Sequence, residues 1–257
     1  MDGIWSGIDE RGIARLEIDR PEQRNALGGG SSARIIELCT TWADDERVRV
    51  VVLSGRGGAF CSGADVTGML AGAAGGYDEA AARAVIENGS RLIGAVRALP
   101  VPVIAAVDGP AVGIGASLAV AADLIYASAR SYFLLAFVRI GLMPDGGANA
   151  TFAASLGRAR ANAMALLGEK LGAREAYDGG LINGVTDRPE ELGVVVERAA
   201  QRLIASSPAA LRLTKAALDG ATLDRYDDAI AREIEGQTEL LQSPQFQAAI
   251  AAFAARH

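Results

Sequence analysis

Histidine and cysteine are nearly absent from this 257-residue chain, and their scarcity excludes several kinds of catalytic site. The one histidine is His257, the last residue, so no imidazole lies within the fold to serve a Ser-His-Asp or Cys-His mechanism. The two cysteines, Cys39 and Cys61, are too few for a disulfide framework or a metal site. Cys61 follows Phe60 in an apolar stretch and is interpreted as core packing. We expect no metal and a reducing, cytoplasmic location.

Basic charge, nucleotide-binding motifs and long apolar runs are missing as well. A formal net charge of −6 and a pI near 5.0 argue against a nucleic-acid partner held through its phosphates. No Walker A motif is present, and GIGASL lacks the third glycine of a dinucleotide fingerprint. No apolar run reaches the ~18 residues of a membrane span, and the first residues do not resemble a signal peptide. We therefore expect neither nucleic acid nor membrane as a partner.

Apolar residues are plentiful, at 50% of the chain, although only 5% of it is aromatic. Periodicity predicts strands alternating with helices up to about residue 186 and helices alone after it. This order indicates an α/β fold built from βαβ-type units with a helical extension. We divide the chain into a core, residues 1–188, and a helical region, residues 189–257.

The stretch from Val103 to Asp123 is the centre of the predicted fold. An apolar run, Val103–Val107, predicts a buried strand, and after a glycine-rich turn the segment from Ala116 to Ala122 predicts a tightly packed helix. The first N–H groups of such a helix are unpaired, and the helix dipole adds positive potential there. This place can hold a phosphate or a developing oxyanion.

Loops that follow a strand and open a helix are where α/β folds bind ligands. The sequence has three: Gly55–Val66, Gly109–Gly115 and Ile140–Gly147. The first two would each offer a backbone N–H, at Ala64 and Ile114, and two convergent donors are what a thioester enolate requires. The alternative is that the glycines only permit tight turns and close packing.

Asp145, in GLMPDGG, is the most interesting carboxylate, although Pro-Asp-Gly before a helix is also an ordinary N-cap. Asp65 invites the same N-cap interpretation, which we prefer there. Arg24 is a solvated loop charge unless its loop folds beside the glycine-rich segments. In that case it becomes a candidate phosphate contact.

Four segments, taken together, resemble the crotonase superfamily, the enoyl-CoA hydratases and isomerases. They are RPEQRNAL (20–27), VVLSGRGGAFCSGADV (51–66), PVIAAVDGPAVGIGASLAVAADLIYAS (102–128) and FVRIGLMPDGG (137–147). The resemblance covers nearly the whole chain in order. It implies a spiral of ββα repeats with a helical C-terminal trimerisation region, assembled as a homotrimer or a dimer of trimers.

The same resemblance implies an acyl-CoA thioester as substrate, with coenzyme A as part of that substrate and no separate cofactor. The N–H groups of Ala64 and Ile114 would form the oxyanion hole, and Asp145 would be the catalytic carboxyl. Arg24 and Ala26 would lie by the nucleotide and pantetheine of CoA, and Phe253 would reach a neighbouring subunit's CoA. The remaining substrate-binding residues would be Ser62, Asp65, Val66, Gly113 and Phe137.

The departures from the family pattern bear on the reaction. Ser117 and Phe137 stand where hydratases of the family carry glutamates, and adding water needs groups that activate water and manage the α-proton. Ile114 replaces a glycine common at the second oxyanion position, but its N–H remains. Some isomerases of the 3,2-enoyl-CoA and ring-opened phenylacetyl-CoA kinds carry their acidic residue in the turn of Asp145. Leu135 and Phe137 would make its surroundings apolar and raise its pKa.

We therefore expect an enoyl-CoA isomerase that shifts a double bond from the 3- to the 2-position. The alternatives are an enoyl-CoA hydratase and a catalytically silent acyl-CoA-binding protein. Glu79 or Glu87, on the predicted helix from Asp78 to Leu99, could also swing into the site. The segment from Gly68 to Gly76 is expected to be mobile and to border the acyl pocket. Acyl chain length and pathway do not follow from the sequence.

Overall fold

The apolar segments of the core form two β-sheets in the computed structural model, which describes residues 2–28, 30–65 and 76–254. The strands are β1 (Ile4–Ile8), β2 (Ile13–Ile18), β3 (Val50–Gly55), β4 (Val103–Val107), β5 (Pro110–Val112), β6 (Leu124–Ser128), β7 (Tyr132–Leu134), β8 (Lys170–Gly172) and β9 (Gly184–Thr186). The larger sheet has the order β1-β2-β3-β4-β6-β9 and is parallel except for β1. The smaller has the order β5-β7-β8, with β5 and β7 parallel.

The segments between and after the strands form the helices. They are α1 (Ser31–Ala43), α2 (Glu79–Arg97), α3 (Ile114–Val120), α4 (Ala148–Leu167), α5 (Ala173–Asp178), α6 (Pro189–Ile204), α7 (Pro208–Thr222), α8 (Tyr226–Leu241) and α9 (Pro244–Ala254). Short 3₁₀ turns lie at Pro21–Gln23 and Ala136–Ile140. In the described part of the chain, no helix is long and apolar enough to cross a lipid bilayer.

Strand β3 shows how one sequence serves two cores. Alternate side chains of a strand point to opposite faces, so Val51 and Leu53 enter the main core while Val50 and Val52 pack against α6. All four are at most 6% exposed, which explains why β3 is a continuous apolar run rather than an alternating one.

The predicted order, strands alternating with helices and then helices alone, is confirmed, and β4 has the predicted bounds. The turn predicted after β4 is wrong in part, because Pro110–Val112 forms strand β5. Its backbone pairs with β7 and bridges Cys61, partners that local sequence does not reveal. Helix α3 starts at Ile114, earlier than predicted, and β8 was not predicted.

The helical region after β9 is packed onto the core. Helix α6 lies on the larger sheet, and α8 lies against α2 and α4. Its division from the core at residue 188 and its role in trimerisation stay predictions.

Candidate active site

The glycine-rich segment after β3 runs beside the loop that follows β2. This pairing sets the direction of the backbone N–H of Ala64. Leu27 donates to the Gly63 carbonyl at 2.8 Å, and Asp65 donates to the Leu27 carbonyl at 2.9 Å. Ala64 lies between these bonds and bridges Leu27 in parallel fashion, so its own N–H points to the opposite side. Within residues 2–28, 30–65 and 76–254, that N–H has no acceptor.

The opposite side of this segment is packed against the start of α3. Val112 donates to the Cys61 carbonyl at 2.9 Å. A Cβ at Gly115 would lie 2.5 Å from that carbonyl oxygen, and a Cβ at Gly63 would lie 3.0 Å from the Val112 carbonyl oxygen. The two backbones therefore touch, and only glycine fits at Gly115 without displacing one of them.

The second donor lies at this junction. The N–H of Gly113 is used by the Leu134 carbonyl at 2.8 Å, and Ile114 is the first residue of α3. The N–H groups of a helix's first turn have no intrahelical acceptor, and the Ile114 N–H has no acceptor among residues 2–28, 30–65 and 76–254. The structure thus brings the two predicted donor segments, at Ala64 and Ile114, into contact.

The turn that carries Asp145 is packed on the same helix. The Ser117 hydroxyl donates to the Asp145 backbone carbonyl at 2.8 Å. A Cβ at Gly146 would lie 2.6 Å from Ile114 Cδ1 and 3.1 Å from Ser117 Cβ. Asp145 is therefore placed beside the first turn of α3, next to one of the proposed enolate donors.

The Asp145 carboxyl is held on one side only. Gln237 Nε2 donates to Oδ2 at 3.0 Å, whereas Oδ1 is buried and has no partner among the described residues. The N-cap interpretation is wrong, because the residue preceding α4 is Gly147 and the capping carboxylate is Glu233. Glu233 accepts from Gly147 N at 2.7 Å and from Asn149 N at 3.2 Å and Nδ2 at 2.8 Å.

Burial raises the pKa of Asp145 to about 7, the effect expected for a carboxylate removed from water. The hydrogen bond from Gln237 acts against this rise, and the negative charge of Glu233 adds to it. Burial also raises the pKa of Glu233, which its N–H donors oppose. A carboxyl with a pKa near neutrality can both accept and return a proton at physiological pH.

Two other candidate positions carry no carboxylate. Ser117 is 1% exposed and its hydroxyl is used by the backbone of the Asp145 turn. Phe137 is 8% exposed, with Cζ 3.8 Å from where a Cβ of Gly113 would lie. Glu79 and Glu87, the alternative acids, have exposed side chains on α2.

Cys61 is not a nucleophile. The side chain is fully buried, and this burial raises the pKa of its thiol to about 12, so the thiolate is not populated near neutral pH.

The residues predicted to bind CoA form a second group on the other side of the glycine-rich segment. The Arg24 carbonyl accepts from Ser62 N at 3.0 Å, and the Arg24 residue is exposed. Ala26 is 9% exposed and its carbonyl accepts from Arg20 Nη1 at 2.6 Å, while Arg20 Nη2 lies 3.4 Å from Asp65 Oδ2. The loop of Arg24 thus lies beside the first of the three candidate ligand-binding loops, Gly55–Val66, and its role as a phosphate contact stays a prediction. Val66 and residues 68–75 lie outside the described residues, and so does the side chain of Phe253.

Three functional candidates were missed by sequence reasoning: Asn25, Glu233 and Gln237. Asn25 is fully buried with φ 58° and ties the two loops together, because its Nδ2 donates to the carbonyls of Arg56 at 2.8 Å and Ala59 at 2.6 Å. Glu233 and Gln237 recur with Leu241 at every fourth residue of α8 and are buried with it. That spacing was the available signal, although polar residues on a helix ordinarily indicate a solvated face.

The sheet topology, the helical region after β9 and the junction of two glycine-rich segments point to one family of proteins, and comparison with known proteins identifies it. The chain matches the enoyl-CoA hydratase/isomerase family over residues 9–257. It is 31% identical over 256 residues to the 1,2-epoxyphenylacetyl-CoA isomerase of Escherichia coli K12, an alignment covering 100% of this chain and 97% of the relative. It is 38% identical over 245 residues to a probable enoyl-CoA hydratase of Rhodobacter capsulatus, covering 94% and 91%.

Solved structures agree with this assignment. The crystal structure of an enoyl-CoA hydratase from Mycobacterium avium subsp. paratuberculosis superimposes with a TM-score of 0.88 at 38% identity, covering 99% of this chain and 96% of that one. The chain belongs to the enoyl-CoA hydratase/isomerase family and has the crotonase fold. Both an isomerase and a probable hydratase are among its relatives, so membership of the family does not decide between these two reactions.

Proposed function

We propose that this protein is an enoyl-CoA isomerase that converts a 3-enoyl-CoA into the conjugated 2-enoyl-CoA. The observation that supports it is the buried Asp145 carboxyl beside the first turn of α3, with one oxygen held by Gln237 and the other without a partner among the described residues. A 1,3-proton shift needs one such group, since the proton taken from one carbon is returned to another.

The proposed reaction proceeds in two steps through a dienolate. Asp145 takes a proton from C2, the C2–H electrons move toward the thioester carbonyl, and the oxyanion is stabilised by the N–H groups of Ala64 and Ile114. The carboxylic acid then returns the proton to C4, and the double bond forms between C2 and C3. The shift is redox-neutral, so CoA enters as part of the substrate and no other cofactor takes part.

Hydration is disfavoured by what surrounds Asp145. Water addition needs a group to activate the water and a group to manage the α-proton. The positions of the two family glutamates hold Ser117, whose hydroxyl is engaged, and Phe137, which is apolar. The alternatives, a hydratase using another acid and a silent acyl-CoA-binding protein, are outcomes of the test below.

The other predicted contacts are part of this proposal. Arg24 and Ala26 would contact the CoA nucleotide and pantetheine, while Ser62, Asp65 and Val66 would line the adenine side. Gly113 and Phe137 would border the acyl group, and Phe253 would reach a neighbouring subunit's CoA.

The proposed assembly is a homotrimer or a dimer of trimers. It is supported by leucines that are 59–68% exposed at the end of α4 and on α7: Leu166, Leu167, Leu213 and Leu218. The cytoplasmic location stays a prediction.

The deciding experiment is proton NMR of a 3-enoyl-CoA incubated with the protein in D₂O, beside the variant Asp145→Asn. We expect conversion to the 2-enoyl isomer with deuterium incorporation, and a loss of about 10²–10⁴-fold in kcat in the variant, since the proton carrier is removed. Acyl-CoA affinity should stay within a few-fold, because the amide keeps the volume of the carboxyl.

Asp187→Asn is the matched control, since it removes an exposed carboxylate whose partner is Arg174 on the surface. It should leave the rate unchanged. Undiminished isomerisation by Asp145→Asn would refute the assignment. Tight acyl-CoA binding with neither conversion nor exchange would indicate a silent binder, and water addition to a 2-enoyl-CoA would indicate a hydratase.

A further inference from the structure

The side chain of Gln237 is the direct protein contact of the Asp145 carboxyl among the described residues, and its own orientation is fixed. It is fully buried in α8, its Oε1 accepts from Met143 N at 3.2 Å, and its Nε2 donates to Asp145 Oδ2 at 3.0 Å. A backbone N–H can only donate. If the amide of Gln237 were flipped, its NH₂ group would face the Met143 N–H and its oxygen would face the Asp145 carboxyl, and neither pair could form a hydrogen bond while the carboxyl is ionised. The contact is therefore specific to the NH₂ end of the side chain.

This contact divides the two oxygens of the carboxyl. Oδ2 accepts from the amide in both protonation states, as a carboxylate oxygen or as the carbonyl oxygen of the acid. Oδ1 is buried without a partner among the described residues and is the oxygen on which a proton can be carried without breaking a bond.

We propose that Gln237 is the positioning residue of the proton carrier: it holds Oδ2 of Asp145 and leaves Oδ1 to take the proton from C2 and return it at C4. The inference rests on the proposed isomerase function and adds to it the choice of oxygen and the element that sets it. Gln237 acts through Asp145 and does not itself exchange a proton.

A second residue of α8 holds the other end of the same turn. Glu233, one helical turn before Gln237, accepts from Gly147 N and from Asn149. The two side chains thus hold the backbone at Met143 and Gly147, on either side of Asp145. Helix α8 therefore sets the geometry of the turn that carries Asp145, although Gln237 lies 92 residues from Asp145 in the sequence.

Glu233 is the charged group with an electrostatic effect on Asp145 in the described part of the chain. The other groups around the turn are uncharged or paired: Ser117 of α3, Ile93 of α2, Tyr226 of α8, and Arg97 of α2, which pairs with Asp219 at 3.1 Å. A donor on Oδ2 favours the ionised carboxyl, so Gln237 lowers the pKa of Asp145 against the effects of burial and of Glu233.

The test is the variant Gln237→Met, which keeps an unbranched side chain and removes the donor. Asp145 is titrated by NMR in protein labelled with ¹³C at aspartate carboxyls, and its signal is assigned by its loss in Asp145→Asn. We expect the titration midpoint to rise by about one to two pH units, the size of one hydrogen bond to a charged group. The acidic limb of the kcat profile should move up by the same amount, and kcat should fall with little change in KM.

The matched control is Thr238→Val, a buried neighbour on α8 whose hydroxyl contacts only the Ile234 carbonyl in the described structure. It disturbs the helix without touching Asp145, so both the midpoint and the pH limb should stay in place. Should Gln237→Met fail to fold, Gln237→Glu keeps the shape, and it should raise the midpoint because two carboxyls then face each other.

An unchanged Asp145 midpoint and pH limb in a folded Gln237 variant would overturn the inference. Failure of the proposed function has a different signature, namely full isomerase activity in Asp145→Asn. The NMR titration reads Asp145 whether or not it is catalytic, so the two failures are distinguishable.

Discussion

The two halves of the proposed site are built in opposite ways. The oxyanion donors are backbone N–H groups, placed where segments 61–65 and 111–115 touch through glycines. The proton carrier is a side chain, and its carboxyl and turn are held by side chains of α8, 86–94 residues further along the chain. The backbone donors can be predicted from local glycine patterns, whereas the contacts of the Asp145 carboxyl form only when the helical region packs on the core.

Among variants that leave the Asp145 carboxyl in place, the largest effect should follow from breaking the glycine contact. In Gly115→Ala the new Cβ would lie 2.5 Å from the Cys61 carbonyl oxygen and 2.7 Å from its Sγ, so α3 must shift and carry the Ile114 N–H with it. We expect kcat to fall by about 10²–10³, the usual result of losing one oxyanion donor. Overpacking should also lower the free energy of unfolding by about 1–3 kcal/mol.

Gly193→Ala is the control for this substitution, because no atom lies within 4 Å of the new methyl in α6. Activity should be unchanged, with a small gain in stability. A folded Gly115→Ala enzyme with full activity would show that the junction is not the enolate site.

A smaller effect, on the pH dependence of kcat, distinguishes the contact made by Glu233 from the contact made by Gln237. Glu233→Gln removes a negative charge that raises the pKa of Asp145, so the acidic limb of the kcat profile should move to lower pH, by about one unit or less. This is the opposite direction from Gln237→Met. Glu235→Gln, exposed on the same helix, should leave the profile in place. A shift upward in Glu233→Gln would contradict the electrostatic account.

The smallest effect is on stability. The folded pKa of Asp145, about 7, lies above its unfolded value near 3.8, so the folded state binds the extra proton between these values. Over this range the unfolded chain ionises at Asp145 while the folded protein keeps its proton, so the free energy of unfolding falls progressively as pH rises from about 4 to about 7, and the group has no effect on stability below that range. Asp145→Asn has no ionisable group at this position and lacks this pH-dependent loss. The difference in Tm between the variant and the native protein should therefore be several degrees more in favour of the variant at pH 8 than at pH 4. Parallel Tm–pH curves for the two proteins would show that the carboxyl is not held neutral by burial.

Local sequence was a good guide wherever contacts are near in the chain. The apolar run Val103–Val107 predicted β4 with its bounds, and the glycine patterns around Ala64 and Ile114 predicted two loop segments that the fold brings into contact. It failed for β5, because Pro110–Val112 becomes a strand only through pairing with β7 and bridging to Cys61. For Asp145 it left two interpretations open, since Pro-Asp-Gly suits a cap and a catalytic acid equally.

The sequence by itself predicted the α/β class and the family, both of which are confirmed, and it shows that Ser117 and Phe137 stand where carboxylates could have been; the backbone donors stay its prediction. Only the tertiary structure decided that Asp145 is no helix cap, that Glu233 caps α4 in its place, and that Gln237 holds one oxygen of the carboxyl. The physical reason is that the direction of a backbone N–H depends on local dihedral angles, and glycines in the sequence indicate where the chain turns. The protonation and orientation of a side chain depend on burial and on partners, and these are set by which helices pack together.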